Sequence, residues 1–193
     1  MNQFKQRQEI AIDCWEKYLE GDKEALGEIF QEYFQDFVAY GLKIINSEDL
    51  VKDCIQELFV YLWDRRLKLP KVNNVKVYLL ICLKNDLLQT LKSVRHDKAD
   101  SNIHHAPIAI SVEDFIIEKE QESELAEKVV SCLKKLTDRQ REVIYLRFYL
   151  NLDFSELSEV MDMNVQSVRN LLFRALRKIR RDIEDGTTQS GGG

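Results

Sequence analysis

Proline occurs only 2 times and glycine 7 times in 193 residues. Few segments alternate apolar and polar residues, so a sheet-based fold is disfavoured and helices are expected almost throughout. The 4 cysteines are widely separated, and no CxxC or HxxxH spacing joins Cys14, Cys54, Cys82 or Cys132 to His96, His104 or His105. That argues against a zinc site and leaves the thiols as small core side chains in apolar helix positions. His104 and His105 sit in a polar stretch as solvated loop residues and suggest no catalysis. The longest apolar run, Val77 to Leu83, is far short of the ~20 residues that span a bilayer. The N-terminus shows no signal-peptide pattern, so a cytoplasmic protein with no direct membrane insertion is expected.

What is present is enough apolar residue to fold. Hydrophobic residues make up 45% of the chain, and the length suits one domain or two small ones. A formal charge of -5 excludes a uniformly basic coat, so the distribution of charge matters more than its sum. Between Ser111 and Glu127 stand seven acids (Glu113, Asp114, Glu118, Glu120, Glu122, Glu124 and Glu127) against Lys119 alone. From Asn164 to Arg181 no Asp or Glu occurs, while Arg169, Arg174, Arg177, Lys178, Arg180 and Arg181 recur.

That basic stretch is the second half of a recognisable motif. Val165, Val168, Leu171, Leu172, Ala175, Leu176 and Ile179 fall at three- and four-residue steps, which puts them on one helical stripe as a packing face. Asn164 is placed to cap this helix, leaving Gln166, Ser167, Arg169 and Asn170 near its exposed start. Upstream, Phe154, Leu157, Val160 and Met161 predict a short amphipathic helix, with Asp162 and Met163 as the turn. Such turns usually hold glycine because a left-handed residue is needed, and Asp162 is a permitted but less comfortable occupant. The order of helix, turn, cap and polar cluster predicts a DNA-reading helix-turn-helix. The competing reading is a solvated basic face on a bundle helix.

The rest of the chain also divides into helices. Ile10, Ala11, Cys14, Trp15, Tyr18 and Leu19 predict a first helix ended by Gly21, with Asp22 capping a second that runs from Leu26 to Ile45. Ser47 is expected to cap a third, which buries Val51, Cys54, Ile55, Leu58, Phe59 and Leu62 and stops near Arg66. Residues 67–74, with Pro70, read as a loop. A fourth helix from Val75 to about Arg95 completes an N-terminal bundle. Residues 96–112 predict a linker. Beyond it, a helix from about Phe115 to Leu136 precedes one capped by Thr137 and running to about Tyr149. The expectation is therefore an all-α protein of two small helical domains joined by a linker. Their bounds are 1–95, linker 96–112, and 113–184 with the helix-turn-helix, followed by a disordered tail over 185–193.

Three stretches carry a family resemblance. YLEGDKEALGEIFQEYFQDFVAYGLKIINSEDLVKDCIQELFVYLWDRR and YLLICLKNDLLQTLK closely resemble the second domain of bacterial sigma factors of the extracytoplasmic-function (ECF) group, within the sigma-70-like family. LTDRQREVIYLRFYLNLDFSELSEVMDMNVQSVRNLLFRALRKI resembles the fourth domain of the same family. Together they cover most of residues 18–180, and the lack of a further domain between them is characteristic of this smallest sigma-factor type.

The resemblance implies roles for particular residues. Asp53, Gln56, Glu57, Phe59 and Trp63 correspond to the helix that docks on the clamp coiled coil of the polymerase's largest subunit; spacing alone favours reading Phe59 and Trp63 as ordinary core aromatics. For the promoter minus-10 region the resemblance points to Lys71, Asn73, Asn74, Lys76, Asn85, Gln89, Lys92 and Arg95, although Asn85 on a packed helix can equally be structural. For the minus-35 element it points to Gln166, Ser167, Arg169, Asn170, Arg174, Arg177 and Lys178. The acidic linker would thread towards the polymerase's active centre, where negative charge mimics nucleic acid; a solvated spacer is the plainer alternative. Core RNA polymerase, promoter DNA and an anti-sigma factor are the partners implied, with no cofactor, no metal, no small-molecule substrate and no catalytic activity of its own.

The implied function is promoter-specific, DNA-templated transcription initiation. The rival is a freestanding helix-turn-helix repressor whose N-terminal bundle dimerises or senses a ligand, which leaves the pattern from Asp53 to Trp63 unexplained. A metal-dependent hydrolase, the third class, lacks ligand spacing.

Overall fold

A computed structural model describes residues 2–95 and 131–189, and every regular element in them is helical. The predicted linker over 96–112, the acidic segment, all three histidines and the last four residues lie outside the described residues. The chain divides into two compact units, residues 1–104 and 105–193.

In the first unit, α1 spans Asn2–Leu19, α2 Lys23–Leu42, α3 Glu48–Arg65 and α4 Val75–Arg95, with a 3-10 turn at Arg66–Lys68 in what was expected as plain loop. Gly21 ends α1 at φ +109°, a backbone region that side chains with a Cβ disfavour. Asp22 then caps α2, its carboxylate accepting from the amides of Glu24 at 2.9 Å and Ala25 at 3.2 Å. Ser47 corrects an expectation. It occupies the cap position of α3 with extended backbone but its side chain makes no capping bond. Glu48 and Asp49 in the first turn supply the negative charge that favours the helix's positive end instead.

Trp15, Tyr18, Ile29, Phe37, Tyr40, Ile55, Leu62, Leu79, Leu80, Leu83 and Leu87 fill the core of this bundle. Two of its aromatic side chains bond across the bundle. Trp15 Nε1 donates to the Pro70 carbonyl at 3.1 Å, and the Tyr18 hydroxyl donates to the Leu62 carbonyl, fixing both the end of α3 and the segment after it against α1. At Gly41 the helices come so close that an added Cβ would run into Cγ1 of the fully buried Val51. Cys14, Cys54 and Cys132 are buried, Cys82 is half-buried, and none is disulfide-bonded.

In the second unit residues 131–134 are helical. Thr137 caps α5 (Asp138–Phe148) through a reciprocal box with Gln140. Asp153 caps α6 (Phe154–Val160) in the same way with Glu156, a cap that the sequence reading did not identify. Asp162 stands at φ +50°, as the turn requires, and the Asn164 side chain accepts from the Ser167 amide at 2.8 Å to start α7 (Val165–Gln189). Val168, Leu171, Leu172 and Ala175 pack inward against Val143, Leu146, Leu157, Val160 and Met161 of the buried core.

Two further expectations are corrected here. Leu176 is expected on the packing stripe but is 41% exposed: it lies at the edge of that stripe, which runs on through the fully buried Ala175 to the half-buried Ile179. The helix also continues through 185–189, where disorder was expected; propagation adds a backbone bond for each residue fixed, so a nucleated helix runs past its packing face.

Candidate nucleic-acid interface

The start of α7 is built for presentation. Asn164 satisfies one orphan amide, and the buried stripe turns the opposite face outward. Gln166, Arg169, Asn170, Arg174 and Arg177 are exposed, whereas Ser167 and Lys178 are half-buried. Most of these groups are already engaged locally. Gln166 Nε2 donates to Asn170 Oδ1 at 3.1 Å, and Arg174 Nε donates to the Asn170 carbonyl at 3.3 Å. Lys178 Nζ donates to the Lys135 carbonyl, tying α7 back to the segment before α5. Arg169 stacks over the ring of Phe154, its guanidinium carbon 5.2 Å from the centroid. Arg139, from α5, donates to the Met161 carbonyl at 3.1 Å and so holds the end of α6 just before the left-handed turn.

The residues predicted for the minus-10 region have more varied surroundings. Lys71, Asn73 and Gln89 are exposed, and Lys71 pairs with Glu16 at 3.1 Å. Asn85 and Lys92 are half-buried on α4. Asn74 is used internally, its Oδ1 accepting from the Val77 amide at 3.0 Å as the cap of α4. Lys76 is turned inward as well. Its ammonium lies 2.7 Å from Asp36 with the side chain 12% exposed, and 6.0 Å from the Tyr33 ring centroid. A base-reading Asn74 and a phosphate-tracking Lys76 would each have to give up that partner. The side chain of Arg95 lies outside the described residues.

On α3 the outward face carries Asp53, Gln56 and Glu57, all exposed. The two aromatics there have different surroundings. Phe59 is 8% exposed and meets Phe30 edge to face at 5.0 Å, so most of its surface is used within the bundle. Trp63 is half-buried, with the Arg66 guanidinium 4.8 Å over its ring and the Tyr18 ring at 6.5 Å. Val60 and Tyr61, which the sequence reading passed over, are 61% and 55% exposed. Counting four residues on from Gln56 and Glu57 reaches them, so helical spacing held the signal.

Asp86 of α4 is a second omission. Burial first, and then the charge of Glu57, hold its carboxyl above the usual carboxylate range. Glu57 of α3 and Asp86 of α4 thus make an acidic edge between the two helices, and the exposed Val60 and Tyr61 follow Gln56 and Glu57 one turn on. An apolar centre flanked by polar groups is the usual composition of a protein interface. Among the described residues, no cluster of three or more His, Cys, Asp or Glu is arranged to hold a metal ion, and no helix is long and apolar enough to cross a membrane.

Comparison with known proteins follows the same division. Residues 126–179 match the family described as "Sigma-70, region 4". The ECF RNA polymerase sigma factor SigM of Bacillus subtilis is 23% identical over 161 residues, covering 80% of this chain and 93% of that protein. Among solved structures, CnrH in complex with the cytosolic domain of CnrY covers 91% of this chain and 98% of that one, with TM-score 0.59 and 18% identity. The sigma factor RpoE from Bartonella quintana, solved with the anti-sigma factor NepR, covers 82% and 96%, with TM-score 0.54 and 14% identity. At these identities the structural likeness bears on the fold.

Proposed function

We infer that this chain, which belongs to the extracytoplasmic-function sigma factors of the sigma-70 family, directs core RNA polymerase to promoters and supports DNA-templated initiation there. The observation that carries this reading is the extent of the sequence match: it takes in 93% of SigM and therefore both helical units, not the helix-turn-helix alone. A freestanding repressor would account for α6 and α7 and leave the exposed face of α3 without a purpose.

In this reading the chain performs no covalent chemistry and is a non-catalytic specificity subunit acting in the cytoplasm. Residues 1–95 grip the polymerase and the minus-10 region, 96–112 connect, and 113–184 read the minus-35 element. The face of α3 with Asp53, Gln56, Glu57 and Trp63 docks on the polymerase clamp. Val60 and Tyr61 extend that contact. The loop before α4, with Lys71 and Asn73, and the outward side of α4, with Gln89 and Lys92, meet the non-template strand. Capture of unstacked bases there offsets the few kcal/mol needed to unpair them.

The start of α7 enters the major groove. Gln166, Ser167, Arg169, Asn170 and Arg174 lie at or near base edges, while Arg177 and Lys178 position the helix on phosphate. An anti-sigma factor restrains the free chain by covering the surfaces that polymerase would use.

Run-off transcription with purified core polymerase tests the function. Discrete transcripts that appear only when this chain is added, and only from templates carrying its promoter, are the expected result. Operator binding without any new transcript would overturn the reading in favour of the repressor.

A further inference from the structure

Phe154 sits where three elements meet. Asp153 caps α6 through its box with Glu156, which fixes Phe154 as the first helical residue. From α5, Arg147 donates to the Leu152 carbonyl at 2.7 Å and stands over the Phe154 ring with its guanidinium carbon 5.4 Å from the centroid. From α7, Arg169 stands over the same ring at 5.2 Å. Arg147 is half-buried and tied to backbone; Arg169 is exposed and, apart from the ring, unanchored among the described residues.

We propose that Phe154 is a positioning residue for promoter discrimination, holding the Arg169 guanidinium in one orientation before DNA arrives. This rests on the assignment of Arg169 as a base reader. The physical need is clear from the side chain. Arginine reads guanine through a planar fork of parallel donors, and a free arginine must lose its rotamer freedom to present that fork. A ring face attracts the guanidinium electrostatically and restricts it without consuming its N–H donors, which a salt bridge would do. Arg147, bound to the Leu152 carbonyl, keeps the ring itself in place from the other helix. Contact with a cognate base then begins from an ordered side chain, and the entropy of ordering it is lost during folding, not during recognition.

The test uses the full chain with core polymerase and a panel of promoter duplexes singly substituted through the minus-35 element. In F154M, which conserves volume but removes the ring, discrimination at the position read by Arg169 should fall about threefold to tenfold, equivalent to roughly 0.7 to 1.4 kcal/mol. Affinity on duplexes already substituted at that position should change little. F154Y keeps the ring and should restore discrimination. In the R169A background F154M should have no further effect on discrimination. A uniform loss on every duplex, or additive losses in the double variant, would overturn the proposal.

The two readings fail differently. If R169A itself discriminates as the unaltered chain does while promoter-dependent transcripts still appear, the function stands and both Arg169 and Phe154 lose their roles. If no transcript appears at all, the function fails first. Should F154M not fold, the Arg169 Nε–H resonance of the unaltered chain decides. Displacement by the ring current, absent for Arg174, supports the stack; coincidence of the two shifts refutes it.

Discussion

Trp63→Ala should separate polymerase binding from folding, and Phe59→Ala should not. Removing a fully buried large aromatic costs about 3–5 kcal/mol. Trp63 is only half-buried, so roughly half of that, ~2 kcal/mol, is expected, including ~0.5–1 kcal/mol for losing the Arg66 guanidinium from its face. In a unit of this size that lowers Tm by about 10 °C and leaves the chain folded at 20 °C. At an interface, an anchoring tryptophan contributes ~2 kcal/mol or more, so affinity for core polymerase should drop about thirtyfold. Phe59, 8% exposed against Phe30, should show the larger loss of stability, towards the full ~3–5 kcal/mol. Circular-dichroism melts and a titration of labelled chain against core polymerase at 20 °C read both quantities. Unchanged affinity for Trp63→Ala, or a first unit already unfolded at 20 °C, would refute the division of roles.

Three other perturbations follow from the structure. Arg169→Ala should cost about 1–3 kcal/mol at the preferred promoter, whereas Arg177→Ala should reduce the salt slope of binding by about 1 with little change in preference; equal loss on all DNA sequences for Arg169→Ala removes it from the base-reading set. Gly41→Ala gains up to ~1 kcal/mol in helix propensity but overpacks against Val51 by about 1–3 kcal/mol, so denaturant melts should show a net loss that Val51→Ala partly relieves. For Asp86 the folded pKa lies above the unfolded one, so the stability tied to its protonated form is present at low pH and lost as pH rises through the folded value. Asp86→Asn should therefore raise Tm near pH 7, with the gain fading below about pH 4 where both side chains are neutral; a lower Tm at pH 7 would contradict burial as the main cause.

Local chemistry was readable from the sequence wherever one turn of chain contained both partners. Asp22, Thr137 and Asn164 cap helices because a short polar side chain precedes an apolar period, and Asp162 is left-handed because the turn between α6 and α7 permits little else. The Asp153 box was equally local, an acid three residues before Glu156, and was simply passed over. Ser47 shows the limit of that logic: residue type and position were right, yet nearby acids stabilise the same helix end and no side-chain bond forms. Depth was readable only in part. The apolar period put Phe59 on the buried side of α3 with Leu58 and Leu62, but how much of Trp63, four residues on, stays exposed depends on the packing of α2 and α1 beneath the helix. Pairings across helices, such as Arg169 with Phe154 or Lys76 with Asp36, depend on tertiary approach and leave no mark in spacing.

The same cross-helix contacts bear on why a chain of formal charge -5 can read DNA. Along α7, Arg169 lies on a ring, Arg174 and Lys178 bond backbone carbonyls, and Arg180 pairs with Glu184 at 2.9 Å. Each contact lies at or near the solvent surface, where such pairings are weak, so phosphate can displace them at small cost. Their presence nonetheless subtracts from the free chain's attraction for DNA, and the acids elsewhere subtract more. A single helix-turn-helix with this charge pattern would hold DNA weakly. In the arrangement proposed above, holding it on one polymerase with a second promoter-reading unit would make each contact intramolecular once the other has formed, and the effective concentration would supply affinity that neither surface has alone. Discrimination can then rest on a few ordered side chains such as Arg169, because overall binding no longer depends on a large basic face.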